Sequence, residues 1–118
     1  MKKSIYILLV LLTVLSIACT PTRESKLNET NTLIAKRAIA AIDTYLDGDP
    51  DWKSVRDTVD RERKKIDEDD EKIHVFSLRS SFNSIATTFT TFETKGEDVA
   101  RLRAARNEVA ELAGIPKR

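Results

Sequence analysis

From Val75 to Phe92 the apolar side chains recur at alternating intervals of three and four: Val75, Leu78, Phe82, Ile85, Phe89 and Phe92. Among regular structures only a helix brings such positions onto one stripe, because a strand turns every second side chain to the same face. The seam is three heptads long and demands an apolar partner surface. Ile73 and Phe76 are expected to widen its start. Ser80, Ser81, Ser84, Thr87, Thr88, Thr90 and Thr91 fill much of the remainder. These are mediocre helix formers, and a run of Phe, Thr and Ile also suits a strand. The three-four spacing outweighs that propensity, so the segment from about Glu71 reads as a helix.

Three further segments carry the same signature. The first runs from Ser25 or Asn28 to Asp47, with Leu27, Ile34, Ala38, Ala41, Ile42, Tyr45 and Leu46 on one face. Gly48 is placed to close it, since glycine adopts the left-handed conformation cheaply. Asp49-Pro50-Asp51 opens the second, where an aspartate caps free N–H groups and proline loses no bond. Trp52, Val55, Val59 and Ile66 continue it, and Asp57 with Arg61 and Asp60 with Lys64 are spaced as acid-before-base pairs one turn apart. No glycine or proline lies between Pro50 and Gly96. Segments two and three could therefore be one helix of roughly 65 Å. The five adjacent acids Asp67 to Glu71 repel one another and place a turn there instead. The fourth segment, about Glu97 to Ala113, carries Val99, Leu102, Val109 and Leu112, and Gly114 and Pro116 end it. Short links between amphipathic helices make antiparallel neighbours. The expected fold is all-α, a small up-and-down bundle of three to four helices over residues 27–114, followed by a tail at 115–118.

Ahead of the bundle the character of the chain changes. Residues 1–19 read MKKSIYILLVLLTVLSIAC: a basic start at Lys2 and Lys3, an apolar run from Ile5 to Leu15 broken only by Thr13, then small residues at Ser16 and Ala18. That is the pattern of an export signal over residues 1–18. The uncharged stretch from Ser4 to Thr22 is also close to bilayer-spanning length, so a retained transmembrane anchor is the rival reading. Cys19 argues for cleavage: it is the only cysteine in the 118 residues, and it follows Ala18 where the apolar run ends. The sequence Leu15-Ser16-Ile17-Ala18-Cys19 resembles the lipobox of bacterial lipoproteins, with Ser16 standing where leucine is usual. The resemblance implies that Cys19 is lipidated, with palmitate among its acyl chains, and becomes the new amino terminus. It implies a place in the cell envelope outside the cytoplasm: the outer membrane of a diderm, since Thr20 and not aspartate follows the cysteine, or the outer face of the plasma membrane of a monoderm. Residues 19–26, polar and containing Pro21, then form a tether. Without Lys2 and Lys3, 18 basic side chains face 19 acidic ones, a formal charge of −1. Such a balance gives no general attraction to nucleic acid.

Inside the mature chain no catalytic, cofactor or metal constellation emerges. His74 is the only histidine and has no cysteine or second histidine to share a metal with. Asp47-Gly48-Asp49-Pro50-Asp51 begins like an EF-hand loop, but Trp52 and Thr58 occupy the positions that need glycine and a bidentate acid. The acids at 67–71 read as a solvated turn, and the glycines stand alone at helix ends. Arg61, Arg63, Lys64 and Lys65 form a basic group that could touch lipid headgroups or a partner, or could be an exposed face neutralised by its neighbours; Arg101, Arg103 and Arg106 read as exposed in the same way. Trp52, beside a turn, is either packed at its helix start or an interface anchor. The expectation is a non-enzymatic, membrane-tethered helical lipoprotein that binds a protein of the envelope. Small lipoproteins of similar layout include prophage-borne superinfection-exclusion proteins and accessory subunits of envelope machines. The alternatives are a bundle that holds an apolar ligand and an accessory subunit held by a transmembrane anchor.

Overall fold

The computed structural model describes residues 24–118; the expected leader at 1–18, Cys19 and most of the expected tether lie outside the described residues. The described chain is all-α, with four helices and no strand: α1 Glu29–Leu46, α2 Trp52–Arg63, α3 Ile73–Lys95 and α4 Val99–Ala113. Each packs on its neighbours in sequence, and α1 also packs on α4, which closes the ring of an up-and-down bundle. Residues 50–95 thus form two helices, separated at the acidic run.

Local chemistry sets the boundaries. Asn28, Asp51 and Asp98 each accept a hydrogen bond from the backbone N–H three residues on, at 2.8, 3.1 and 3.1 Å, and cap α1, α2 and α4. At Lys72, which precedes α3, no side chain caps the helix. Gly114 closes α4 with φ +73°, in the left-handed region that L side chains avoid. The Ser- and Thr-rich stretch stays helical; Thr87, Thr88 and Thr90 return their hydroxyls to carbonyls one turn earlier, at 2.9, 2.8 and 3.1 Å.

The seam read from the sequence is the core. Leu78, Phe82, Ile85, Phe89 and Phe92 of α3 are buried against Ile34, Ala38 and Ile42 of α1, Val55 and Val59 of α2, and Leu102 and Val109 of α4. Trp52 joins them from the start of α2. Its ring stacks on Phe89 with centroids 6.3 Å apart and meets Phe92 edge-on at 5.5 Å, within the range of favourable aromatic pairs.

Several expectations are corrected. α2 stops at Arg63, and the chain reaches Ile66 through turn bonds, yet Ile66 is buried and fills the core below the end of the helix. With 12 residues, α2 spans about 18 Å, against about 35 Å for the 23 residues of α3. The base of α3 therefore has no α2 beside it; the loop 64–72 runs there instead. Ile73 and Phe76 do not widen the seam but stand 72% and 62% exposed. Val99 is likewise exposed, and the small residues Ala105, Ala110 and Ala113 complete the buried face of α4. Asp57 and Asp60 pair with Arg56 and Arg63, not with the residues four places on. Arg106, expected on an exposed face, is 3% exposed.

Candidate functional site

Where α2 ends early, its last residue, the loop and α3 leave a surface concavity of about 300 Å³ lined by Arg63, Ile66, Glu68, Arg79 and Asn83. Arg79 shapes it: one guanidinium nitrogen donates to the carbonyls of Asp67 and Asp70, at 2.8 and 2.9 Å, and pins the acidic loop against α3. Asn83, one turn further along α3, accepts from Arg63 at 3.5 Å, the limit of a hydrogen bond. Arg63 also reaches Asp60 at 3.4 Å, but its buried Nε has no hydrogen-bond partner. Next to it Glu62 is buried; Lys65 pairs with one carboxylate oxygen at 2.9 Å, and the other is left without a partner.

Two guanidinium groups from adjacent antiparallel helices therefore line one cleft with an amide between them. Arginine presents a planar fork of donors that suits a carboxylate or phosphate oxyanion. A buried donor without a partner costs roughly 1–3 kcal/mol.

The residues singled out from the sequence separate here. Arg63 lines the cleft; Arg61, Lys64 and Lys65 are exposed but do not line it, and Lys65 pairs with Glu62. Trp52 lies elsewhere, in the aromatic cluster, with the cations of Lys53 and Arg56 at 5.8 and 5.6 Å from its ring. It is packed at its helix start and only half-buried. Arg79 and Asn83 escaped the sequence reading. Both fall on the flank of α3 that turns away from the seam, and only the halt of α2 at Arg63 shows that this flank meets a loop. Cys19 lies outside the described residues.

Two other polar clusters are structural. Arg106 of α4 sends Nε and a terminal nitrogen to the two carboxylate oxygens of Asp43 on α1, at 3.0 and 3.1 Å, and holds the Pro116 carbonyl at 2.7 Å. Arg118 adds to Asp43 at 3.2 Å and also engages Asp47, so the C-terminal tail is strapped along the α1–α4 groove. Both carboxylates raise the pKa of the Arg118 guanidinium. At the opposite end of α4 the Tyr45 hydroxyl donates to Glu97 at 3.1 Å; burial first, then the bond and charge of Glu97, push its pKa up to about 12. Among the described residues no group of three or more His, Cys, Asp or Glu is placed to hold a metal ion, and no helix is long and apolar enough to cross a membrane.

The fold defines a closed all-α bundle with a polar cleft, lined by Arg63, Arg79 and Glu68, at its side. No family model, curated protein or solved structure matches the chain.

Proposed function

We propose that this chain is a non-catalytic lipoprotein of the bacterial cell envelope, tethered through an acylated Cys19, whose helical bundle docks a protein partner. The observation that carries this reading is the position of the only thiol, directly after Ala18 at the end of the apolar run. Two or three acyl chains hold a protein stably where one does not. Partner binding is supported by the cleft in which Arg63 and Arg79 outnumber Glu68, which suits a carboxylate-bearing segment. The runner-up, an interior that holds an apolar ligand, is disfavoured by the close packing of the core, where Leu78, Phe82 and Ile85 expose no surface.

Growing cells fed a clickable fatty acid should label the wild type and not Cys19→Ser; absence of label on both would overturn the anchor. A photo-crosslinking residue at Asn83, which borders the cleft, should trap one defined protein, and the adduct should be lost in Arg63→Ala. Label without any such adduct would leave the anchor standing and remove the docking role of the cleft.

A further inference from the structure

We propose that Ile73 and Phe76, at the base of α3, rest in the bilayer interface, so that the bundle lies against its membrane and does not swing free on the tether. The inference relies on the acylation of Cys19 and adds to it a defined orientation. The two side chains are the most exposed large apolar groups among the described residues, at 72% and 62%, and being three apart they share one side of the helix. Ile73 stands two residues before Val75 and so on the back of α3, opposite the buried seam.

The point at which the tether joins the bundle decides what can cover them. The Lys26 N–H donates to the Leu112 carbonyl at 2.8 Å, and the Ser25 hydroxyl bonds that of Thr32 at 2.7 Å, so the chain is fixed to the end of α4 from residue 25 onward. Lys26, Leu112 and Ser77 line one shallow cleft. Ser77 is the neighbour of Phe76 and one turn from Ile73. From Cys19 to Lys26 is seven residues, at most about 25 Å of extended chain. An acylated Cys19 therefore holds the base of α3 within a short reach of the lipid surface. Two side chains fall well short of the roughly 800 Å² per partner that a specific protein interface buries, which argues against a second copy as the cover. Two apolar residues on an already tethered surface are, by contrast, sufficient to set an orientation, because the anchor supplies the high local concentration. The loop 64–72 sets the five acids Asp67 to Glu71 against Lys64, Lys65 and Lys72, a negative balance that gives no attraction to an anionic surface, so contact with a zwitterionic lipid suffices.

The test uses the full acylated protein reconstituted in phosphatidylcholine vesicles. Acylation blocks Cys19, so Phe76→Cys and, near the far end of the same helix, Thr90→Cys each carry a single nitroxide. Both positions are exposed, and unchanged far-UV circular dichroism checks that the fold survives. The label at 76 should collide more with oxygen than with a water-soluble nickel chelate, and the label at 90 should show the reverse. Adding phosphatidylglycerol should not deepen the label at 76. A label at 76 as open to nickel as the one at 90 overturns the proposal. Spin–spin broadening between labels at 76 overturns it too, because a second copy would then cover the patch. Intact mass and vesicle flotation are read on the same sample. A chain without acyl groups that fails to float refutes the tether, whereas a floating chain with a wet position 76 refutes the orientation alone.

Discussion

Removing the Asp43 carboxylate should destabilise the bundle far more than its partly exposed position on α1 suggests. Arg106, 3% exposed, spends two donors on Asp43 and two more on the Pro116 carbonyl and the Asn107 side chain. In Asp43→Ala the guanidinium stays buried without a counter-charge, and Arg118 loses one of its two carboxylates. Breaking a buried ion pair from one side costs about 3–5 kcal/mol. The carboxylate is 26% exposed, so water can enter the vacated space, and about 2–3 kcal/mol is the better figure. For a domain of this size that lowers the thermal midpoint by about 10–20 °C. Urea denaturation followed by far-UV circular dichroism gives the free energy directly, and an unchanged slope shows that the unfolded state is the same. Asp43→Ala combined with Arg106→Met takes away both charges and keeps an apolar side chain in the groove. It should recover most of the loss, since exchanging a buried pair for apolar packing is often neutral or better. A single-mutant cost below about 1 kcal/mol, or a double mutant no more stable than Asp43→Ala, would refute the claim that Arg106 depends on its counter-charge.

The uncapped start of α3 gives a prediction of opposite sign. Lys72→Ser should supply the missing side-chain acceptor and raise stability by about 0.5–1 kcal/mol in the same assay, and no gain would mean that the loop cannot present the hydroxyl to the first turn. Tyr45 links stability to alkaline pH. Its pKa in the fold is raised to about 12, above the ordinary 10.0 of the unfolded chain, so the protonated phenol contributes stability that is complete below pH 10.0 and lost as pH rises toward about 12. Glu97→Gln removes the nearby charge and should lower that pKa without restoring the ordinary value, because burial remains the larger cause. Ultraviolet titration of the phenolate reads it, and an unmoved titration in Glu97→Gln would exclude a role for the carboxylate.

Periodicity made the core legible, because burial on a helix depends on angle and angle follows from spacing. The same spacing already held two signals that charge obscured. Arg106 stands four residues after Leu102 and three before Val109, and Glu62 stands three after Val59 and four before Ile66, so both polar residues occupy seam positions. A rule that assigns charged residues to the surface misses them, although a charge on a seam needs a buried partner and so points to one. What spacing does not carry is axial extent. Nothing in the pattern of Val55, Val59 and Ile66 shows that the helix stops at Arg63 while Ile66 is still buried. The cleft was illegible for the same reason: it exists only because α2 ends opposite Asn83 and a loop, not a helix, faces Arg79.

The two charged seam residues differ in a way that separates architecture from the candidate site. Arg106 is bonded on all three of its nitrogens, two of them to Asp43, and it ties α1, α4 and the tail together. A fully satisfied buried group of that kind specifies a unique packing, and its energetics are internal to the fold. Glu62 has only one carboxylate oxygen paired, to an exposed lysine, and the adjacent Arg63 keeps a buried Nε with no partner. Folded proteins leave few such groups unsatisfied, and those that remain concentrate where stability gives way to binding. The half-satisfied pair lies at the end of α2, beside the cleft formed with Arg79. The early halt of α2 therefore opens the arginine-lined cleft on one flank of the bundle, while Ile73 and Phe76 lie further round α3, away from the buried seam. A longer α2 that continued its seam through Ile66 would fill the cleft, so lengthening that helix should abolish the cleft and leave Ile73, on the back of α3, exposed.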